Sequence, residues 1–441
     1  MSSKRPEVRS LDMQFNAFLA QDRRVALARG VELPAIADGA VLFADISGFT
    51  PLTEALAAKL GPSRGAEALT RLLNLVYAAL IGEVERHGGS VIGFSGDAIT
   101  CWFSSSQVDP TCASAAAVAC ASALHTAMGQ FAGVMVVDGV HAALSVKVAV
   151  ASGAAMRCIV GDPARQRIEV IAGATLDRMA AAEQSARQSE TVVDQVTAAR
   201  LELSPANVET RTTATGEPLF VWRSKDIAYH ATPPEALPVL PRSITQPWLL
   251  PAVQERLVAG QGRFTAELRP ATALFLHFAG IDFEHDADAA NQLDRFVRWV
   301  QQVISHFEGA LIQLTTGDKG SYLYAAFGAP ITHDDDPLRA VAAAMQLRQP
   351  PAEIAGKLVL RIGVSYGLMR VGPYGSANRL TYGVLGDATN MAARLMVQAP
   401  EGAVWLSEQV AAQVEARYAF THRHAQVQGQ GTTPGRLCGS G

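Results

Sequence analysis

The sequence predicts an α+β protein built from two ferredoxin-like βαββαβ units, and three observations lead there. Short segments recur in the same order in both halves of the 441 residues, a proline-rich stretch separates the halves, and strand-like and helix-like periodicities alternate within each. The first recurrence pairs VLFADISGF (Val41 to Phe49) with ALFLHFAGI (Ala273 to Ile281). GFSGDAITCWF then matches LTTGDKGSYLYAAFG, setting Asp97 against Asp318, and VKVAVASGAAMRCIVGD matches LRIGVSYGLMRVGPYGS. Last, VIAGATLDRMAAA matches GVLGDATNMAARL. The offset falls from 232 residues at the first pair to 213 at Asp177 and Asn390, the drift that loop insertions give a duplicated domain.

A lead segment (1–34) precedes the first unit (35–228). Within that unit Val41 to Ile46 reads as a strand and Gly65 to His87 as a helix, its apolar residues at helical spacing and Gly88-Gly89 as its stop. Ser90 to Phe103 reads as a hairpin, Thr111 to Met128 as a second helix and Leu144 to Ser152 as a strand, which completes βαββαβ. The linker (229–268) contains ATPPEALPVLPRSITQPWLLP, whose prolines remove backbone donors and block helix interiors. The second unit (269–432) repeats the order, and a short tail (433–441) follows.

Lys plus Arg number 37 against 41 Asp plus Glu, a net charge of −4 with no basic stripe, which argues against a nucleic-acid partner. Charges interrupt the apolar residues throughout, including the first two dozen, so neither a membrane span nor a secretion signal is expected and the reading is a soluble, cytoplasmic protein. Cys101, Cys112, Cys120, Cys158 and Cys438 are odd in number and form no Cys-x-x-Cys pair, so buried or idle thiols are expected.

Asp45 ends an apolar strand, and Ile46-Ser47-Gly48-Phe49-Thr50-Pro51 turns into a helix with Thr50 as its expected N-cap and Pro51 at the first helical position. Such a helix start offers free amides to phosphates, which marks Gly48, Phe49 and Thr50. Asp97 lies at the tip of the hairpin, on a strand expected beside that of Asp45. Two carboxylates next to an anion site suit a pair of magnesium ions, because Mg²⁺ takes few protein oxygens and shares phosphates for the rest. Ordinary turn residues are the competing reading for either aspartate alone.

ADISGFT, the Gly-Asp hairpin and Leu385-Gly386-Asp387-Ala388-Thr389-Asn390-Met391-Ala392-Ala393-Arg394-Leu395 together resemble the class III nucleotidyl cyclases, and the unequal tandem resembles their soluble adenylyl cyclase branch. The resemblance implies two cyclase homology domains paired head to tail about a pseudo-twofold axis, with a nucleoside triphosphate between them. It implies that Asp45 and Asp97, with the Ile46 carbonyl, hold two Mg²⁺ for which Mn²⁺ can substitute, and that Lys147 meets the triphosphate. From the second copy it implies Asn390 on the ribose and Arg394 on the α-phosphate, four residues apart on one helix face. The first copy has Asp177 and Ala181 at those places, and the second has His277 for Asp45, so one competent and one degenerate site are expected. The acidic runs Asp282 to Asp286 and His333 to Asp336 read as a solvated loop and a helix start.

The resemblance places the purine against Gln313, Gly383 and Val384, where relatives carry a lysine and an Asp or Thr for the first two. Gly93 and Ala181 stand where mammalian soluble relatives sense bicarbonate, and a glutamine of Val427-Gln428-Gly429-Gln430-Gly431 where a second phosphate lysine is expected. The implied activity is conversion of ATP to cyclic AMP and pyrophosphate, with a weak or inactive nucleotide-binding module or mixed ATP/GTP use as alternatives. A diguanylate cyclase is disfavoured because its Gly-Gly-Asp/Glu-Glu-Phe signature is absent. Relatives often continue into an ATPase module. No Gly-x-x-x-x-Gly-Lys-Ser/Thr loop occurs here, and the sequence leaves open whether the chain is a fragment.

Overall fold

The run Val41-Leu42-Phe43-Ala44 is uniformly apolar because both faces of its strand are covered, so the alternation of a half-exposed strand is lost. Residues 6–105, 109–137, 139–203, 208–223, 229, 236–260, 266–316, 320–356, 358–425 and 433–438 are described in this computed structural model. Two helices lead, α1 (Pro6–Asn16) and α2 (Gln21–Arg29). The first copy begins with β1 (Ile36–Ser47), α3 (Phe49–Leu60), α4 (Pro62–Arg86), β2 (Ser90–Ser95), β3 (Ala98–Ser104) and α5 (Thr111–Gly129). It continues with β4 (Ala132–Val137), β5 (Val140–Ala143), β6 (Ser145–Val160), β7 (Ile168–Ala172) and α6 (Ala174–Ser185). It ends in β8 (Thr191–Asp194), α7 (Gln195–Arg200), β9 (Glu209–Thr212) and β10 (Pro218–Trp222).

The connection carries α8 (Arg242–Thr245), a 3-10 turn (Gln246–Trp248) and α9 (Pro251–Val258). The second copy opens with β11 (Glu267–Ala279), α10 (Ala289–His306), β12 (Ala310–Thr315), β13 (Ser321–Phe327), α11 (Asp336–Leu347) and α12 (Ala352–Ala355). Then come β14 (Val359–Gly375), β15 (Leu380–Leu385), α13 (Asp387–Gln398), β16 (Val404–Ser407), α14 (Glu408–Val414), β17 (Phe420–Ala425) and β18 (Thr433–Cys438).

The sheets have the same strand order, β2-β3-β1-β6-β8-β10-β9 with β7 on β6, and β12-β13-β11-β14-β16-β18-β17 with β15 on β14. Duplication inferred from four short segments thus holds across whole sheets. The five elements expected in the first copy are present, with two differences. β1 starts at Ile36 and β6 runs on to Val160, because β6 pairs with β1 along its first part and then leaves the sheet to pair with β7. The hairpin β4-β5 stands apart as a two-stranded sheet, and helix α3 precedes the long helix α4.

In β1, Leu42, Ala44 and Ile46 point into a core with α3, α4 and α5, while Val41 and Phe43 point to the α6 side. Among the described residues α5 is the helix long and apolar enough to cross a membrane by length and composition, which the sequence reading passes over. Its Ala113, Ala117, Val118, Ala121 and Leu124 are buried in the first core, so its apolar character is used for packing. The thiols of Cys101 and Cys120 lie in the same core and burial pushes both up.

The end of β6 with β7 forms an arm, and its Val160, Val170 and Ala172 join the core of the second copy beside α10. Reciprocally, Tyr374 at the end of β14 joins the core of the first copy beside α4. Polar bonds repeat the exchange. Asp294 accepts from the amide of Gly161 at 2.8 Å and Gln301 from that of Asp162 at 2.8 Å. On the other side Thr70 accepts from Arg370 Nε at 2.8 Å and Asn74 from the amide of Gly375 at 3.3 Å. Each domain therefore grips a helix of the other with its own hairpin, which is head-to-tail pairing.

The lead segment lies under this seam. Asn16 exchanges two 2.9 Å bonds with the backbone of Leu240, and Asp22 and Glu169 both meet Arg157 at 2.5 Å. Arg379 donates to the carbonyls of Val91 (2.8 Å), Ile92 (3.1 Å), Phe18 (3.0 Å) and Leu380 (2.7 Å), with Phe94 stacked under it. Burial draws its guanidinium down to about 10, and it stays charged at neutral pH. Replacing it by an apolar side chain of similar length leaves buried carbonyls unpaired. Arg379→Met is expected to cost about 2–4 kcal/mol in urea unfolding, since bonds to a charged donor are worth roughly 1.5–3 kcal/mol each and desolvation returns part of that. An unchanged unfolding midpoint would remove Arg379 from this role.

Candidate functional site

In register, Asp45 faces Ala98 of β3 on one side and Lys147 of β6 on the other. Asp97 sits in the turn between β2 and β3, which Gly96 permits with φ +66°. The Asp97 carbonyl accepts from the amide of Ile46 at 3.4 Å, so the hairpin tip is tied to the end of β1. Both aspartates are thereby held at one end of neighbouring strands, as the sequence predicts. Tyr77 of α4 and Tyr374 of the partner domain both donate to the carbonyl of Gly96, at 3.1 and 3.3 Å. The rim of the aspartate pair thus depends on domain pairing.

Lys147 Nζ lies 3.3 Å from Asp45 Oδ2 and also contacts the carboxylate of Glu183 on α6. Burial opposes its charge, but Glu183 and Asp45 outweigh that and hold the ammonium above its ordinary value. Among the described residues no group of three or more His, Cys, Asp or Glu side chains is arranged to hold a metal ion. A two-carboxylate set still fits a hard divalent cation that takes its remaining oxygens from phosphates and water, and the ammonium on Asp45 marks the spot as one that favours positive charge.

The phosphate-facing turn differs in its cap. Helix α3 begins at Phe49 with Gly48 at the N-cap, ahead of the expected Thr50 and Pro51. Gly48 has φ +106°, and a Cβ there would fall 2.5 Å from the carbonyl of Ala143, so glycine is required and the helix starts as soon as the chain clears it. Phe49 is buried in the first core, leaving its backbone as the part available at the helix start.

Asn390 and Arg394 lie one turn apart on α13, both exposed, and neither side chain makes a hydrogen bond or ion pair among the described residues. Gln313 sits at a bulge in β12, where its Nε2 donates to Ser95 of the first domain at 3.0 Å and to Thr315 at 2.5 Å. It lines a seam cavity of about 150 Å³ together with Gly93, Ile92 and Thr381. Gly93 opens into space, with nothing within 4 Å of where a Cβ would stand.

Gly383 does not leave an empty place in a purine pocket. The ring of Tyr374 comes within 2.3 Å of where its Cβ would be, so the position left bare on β15 is filled from β14 and a threonine there would collide. Val384 is fully buried and its carbonyl accepts from Tyr324 at 2.9 Å and from Thr389 at 3.3 Å.

In the second copy His277 faces Arg361 in the register that Asp45 and Lys147 occupy in the first. Burial and the Arg361 charge hold His277 below its ordinary value, and among the described residues His277 Nδ1 and Arg361 Nε are buried without hydrogen-bond partners. Burial and the charge of Glu284 raise the carboxyl of Asp177. Asp318 and Gln428 lie outside the described residues. His333 and Asp336 behave as a helix start, with Asp336 accepting from the His333 amide at 2.9 Å.

Sequence reasoning missed Glu183 and the two tyrosines. Carrying the repeat alignment six residues beyond Asp177 and Asn390 places Glu183 opposite Met396, a charge against a core residue. The alignment of the β6 and β14 segments sets Tyr374 opposite Val160, a phenol against an aliphatic side chain. Both differences are visible in the sequence once the helices and arms are in register.

Residues 31–220 and 279–435 match the family described as adenylate and guanylate cyclase catalytic domain. Adenylate cyclase type 10 of Rattus norvegicus is 24% identical over 398 residues, covering 82% of this chain. The Homo sapiens protein of the same name is 23% identical over 390 residues, again 82% of this chain. The chain spans 24% of the length of these relatives. Among solved structures, a class III adenylyl cyclase-like ATP-binding protein from Pseudomonas aeruginosa aligns over 94% of both chains with a TM-score of 0.59 at 13% identity, a likeness of fold. With both repeats matched, and with both sheets built in one strand order, the chain belongs to the class III adenylate and guanylate cyclase catalytic domain family.

Proposed function

We propose that the chain converts ATP to 3′,5′-cyclic AMP and pyrophosphate at one site shared by the two domains, acting in the cytoplasm. The observation that carries this is a division of groups. The first copy keeps Asp45, Asp97 and Lys147 together at one strand end, and the second keeps Asn390 and Arg394 exposed and unbonded on α13. The first copy has Asp177 and Ala181 where the second has Asn390 and Arg394, and the second has His277 for Asp45 although it keeps Asp318 opposite Asp97.

In the reaction the ribose 3′ oxygen forms a bond to the α-phosphorus, the bond from that phosphorus to the bridging oxygen breaks, the 3′ proton departs and pyrophosphate leaves. Asp45 and Asp97 would hold divalent cations, Mg²⁺ or Mn²⁺, whose charge would lower the 3′-hydroxyl pKa and neutralise the triphosphate. Lys147 and the amides at the start of α3 bind the outer phosphates. Asn390 orients the ribose. Arg394 places its guanidinium where charge grows on the phosphoryl oxygens, an interaction worth more in the transition state than in the ground state.

Base choice follows from how Gln313 is held. Its amide is bonded to the hydroxyls of Ser95 and Thr315, which accept from Nε2 and can equally donate to Oε1, so either end of the amide can face a base, Oε1 meeting the N6 amino group of adenine and Nε2 the O6 of guanine. ATP is then the preferred substrate by resemblance to the soluble branch, with measurable turnover of GTP.

Mass spectrometry of products from ATP and GTP with Mg²⁺ or Mn²⁺ tests the reading, and nucleotide binding without product would favour a binding module instead. Asp45→Ala and Asp97→Ala should each lower turnover by about 100-fold or more with the melting temperature retained. Normal turnover in either removes the aspartate pair from the site. Arg394→Ala should cut kcat by roughly 10²–10³ with a smaller change in KM, as loss of a charge-stabilising donor does. A change confined to KM would make Arg394 a docking group. In the Gln313→Lys variant, which installs the residue relatives carry, the ATP to GTP ratio of kcat/KM should rise, and a ratio equal to that of the unaltered chain would show that Gln313 does not read the base.

A further inference from the structure

One contact at the aspartate pair is explained neither by metal binding nor by phosphate binding. Lys147 is shared between Asp45 and Glu183, and all three side chains are largely enclosed, with exposures of 22%, 26% and 13%. Glu183 comes from α6, which packs on β6, so strand and helix each bring a fixed group to this point.

The repeat supplies an internal control. α6 and α13 both have 12 residues and both follow a glycine N-cap, so Glu183 corresponds to Met396. Met396 is fully buried, which shows that packing a helix on this strand needs no acid at that place. In the same copy Arg361 replaces Lys147, and it reaches toward Glu401, 3.8 Å away and outside α13. The acid on the helix therefore occurs in the copy that has both a lysine and an aspartate to manage.

We propose that Glu183 is a positioning residue that holds Lys147 when a divalent cation takes Asp45. Without a cation the ammonium neutralises Asp45. When a cation arrives, like charges separate, and Glu183 gives Lys147 a second partner so that it need not be left partly buried and unpaired. It then stays at the rim facing the triphosphate. This rests on the reading of Asp45 as a cation-binding residue.

The test is a Mn²⁺ titration of the full chain without nucleotide, reading free Mn²⁺ by electron paramagnetic resonance. Glu183→Gln should weaken Mn²⁺ binding about fivefold or more, because the cation must then break the ion pair with Asp45 that Lys147 keeps among the described residues. Glu183→Met, which installs the residue of the second copy, should do the same and guards against a folding defect specific to glutamine. In the Lys147→Met background, Glu183→Gln should change affinity less than about twofold. An undiminished loss in that background would mean that Glu183 acts on the cation directly, and no loss in the chain that keeps Lys147 would mean it does not act at all; either overturns the proposal. Asp45→Asn separates the two levels. If Mn²⁺ binding is indifferent to Asp45→Asn, the cation reading falls and the proposal with it, whereas sensitivity to Asp45→Asn with indifference to Glu183→Gln removes only the proposal.

Discussion

The two domains meet around a guanidinium whose hydrogen bonds all go to carbonyl oxygens. Arg379 has donors and no acceptor, so buried it is satisfied only if several carbonyls converge on it, and here they come from the lead segment, from β2 of the first domain and from β15 of the second. No single one of these pieces can satisfy it. Removal of any piece would leave a charge in a low-dielectric place, which makes the assembled seam the state in which Arg379 is tolerable. The exchange of arms around it then has a fixed centre, and the hairpin carrying Asp97 inherits its position from that centre through Tyr374 and Gly96.

This dependence explains what could and could not be read in the sequence. The strands of the repeat are legible because both faces are buried and the apolar runs recur, as in Val41 to Ala44 and Ala273 to Leu276. The arms are not, because residues such as Gly161 and Tyr374 are defined by what they touch in the other domain, and periodicity within one copy carries no record of that. The same holds for the lead segment, whose Asn16 and Asp22 look like ordinary polar helix residues until Leu240 and Arg157 are placed against them.

At the candidate site, motif and neighbourhood separate in the same way. Asp45 and Asp97 are legible since each ends or turns a strand with a local signature, and the register brings them side by side. Gly383 reads as a base-facing position with no side chain to choose the purine, and the sequence carries no sign of what stands beside it. In three dimensions an adjacent strand supplies a ring to the same volume, and that ring also anchors the hairpin tip. Glu183 escapes notice because an acid on an amphipathic helix reads as surface, and only its meeting with Lys147 gives it a purpose.

The duplicated copies show that geometry and charge have been held to different standards. Strand order, the cross-strand register at the critical pair and the reciprocal arms are all kept in both halves. At the paired strand ends, however, a carboxylate beside an ammonium has become an imidazole beside a guanidinium. Burial and Arg361 keep His277 below its ordinary value, so at neutral pH that strand end offers a neutral ring and a fixed positive charge where the first copy offers Asp45. A divalent cation would meet repulsion there, with no carboxylate at the position of Asp45. On the proposed reading a change of charge at one register position removes cation binding from the second copy while its backbone still serves the seam. Because the arms bind each domain to the other, removing the second copy would also strip α4 and Tyr77 of the hairpin that carries Tyr374, so a copy with an altered strand end is still needed for the packing of the first.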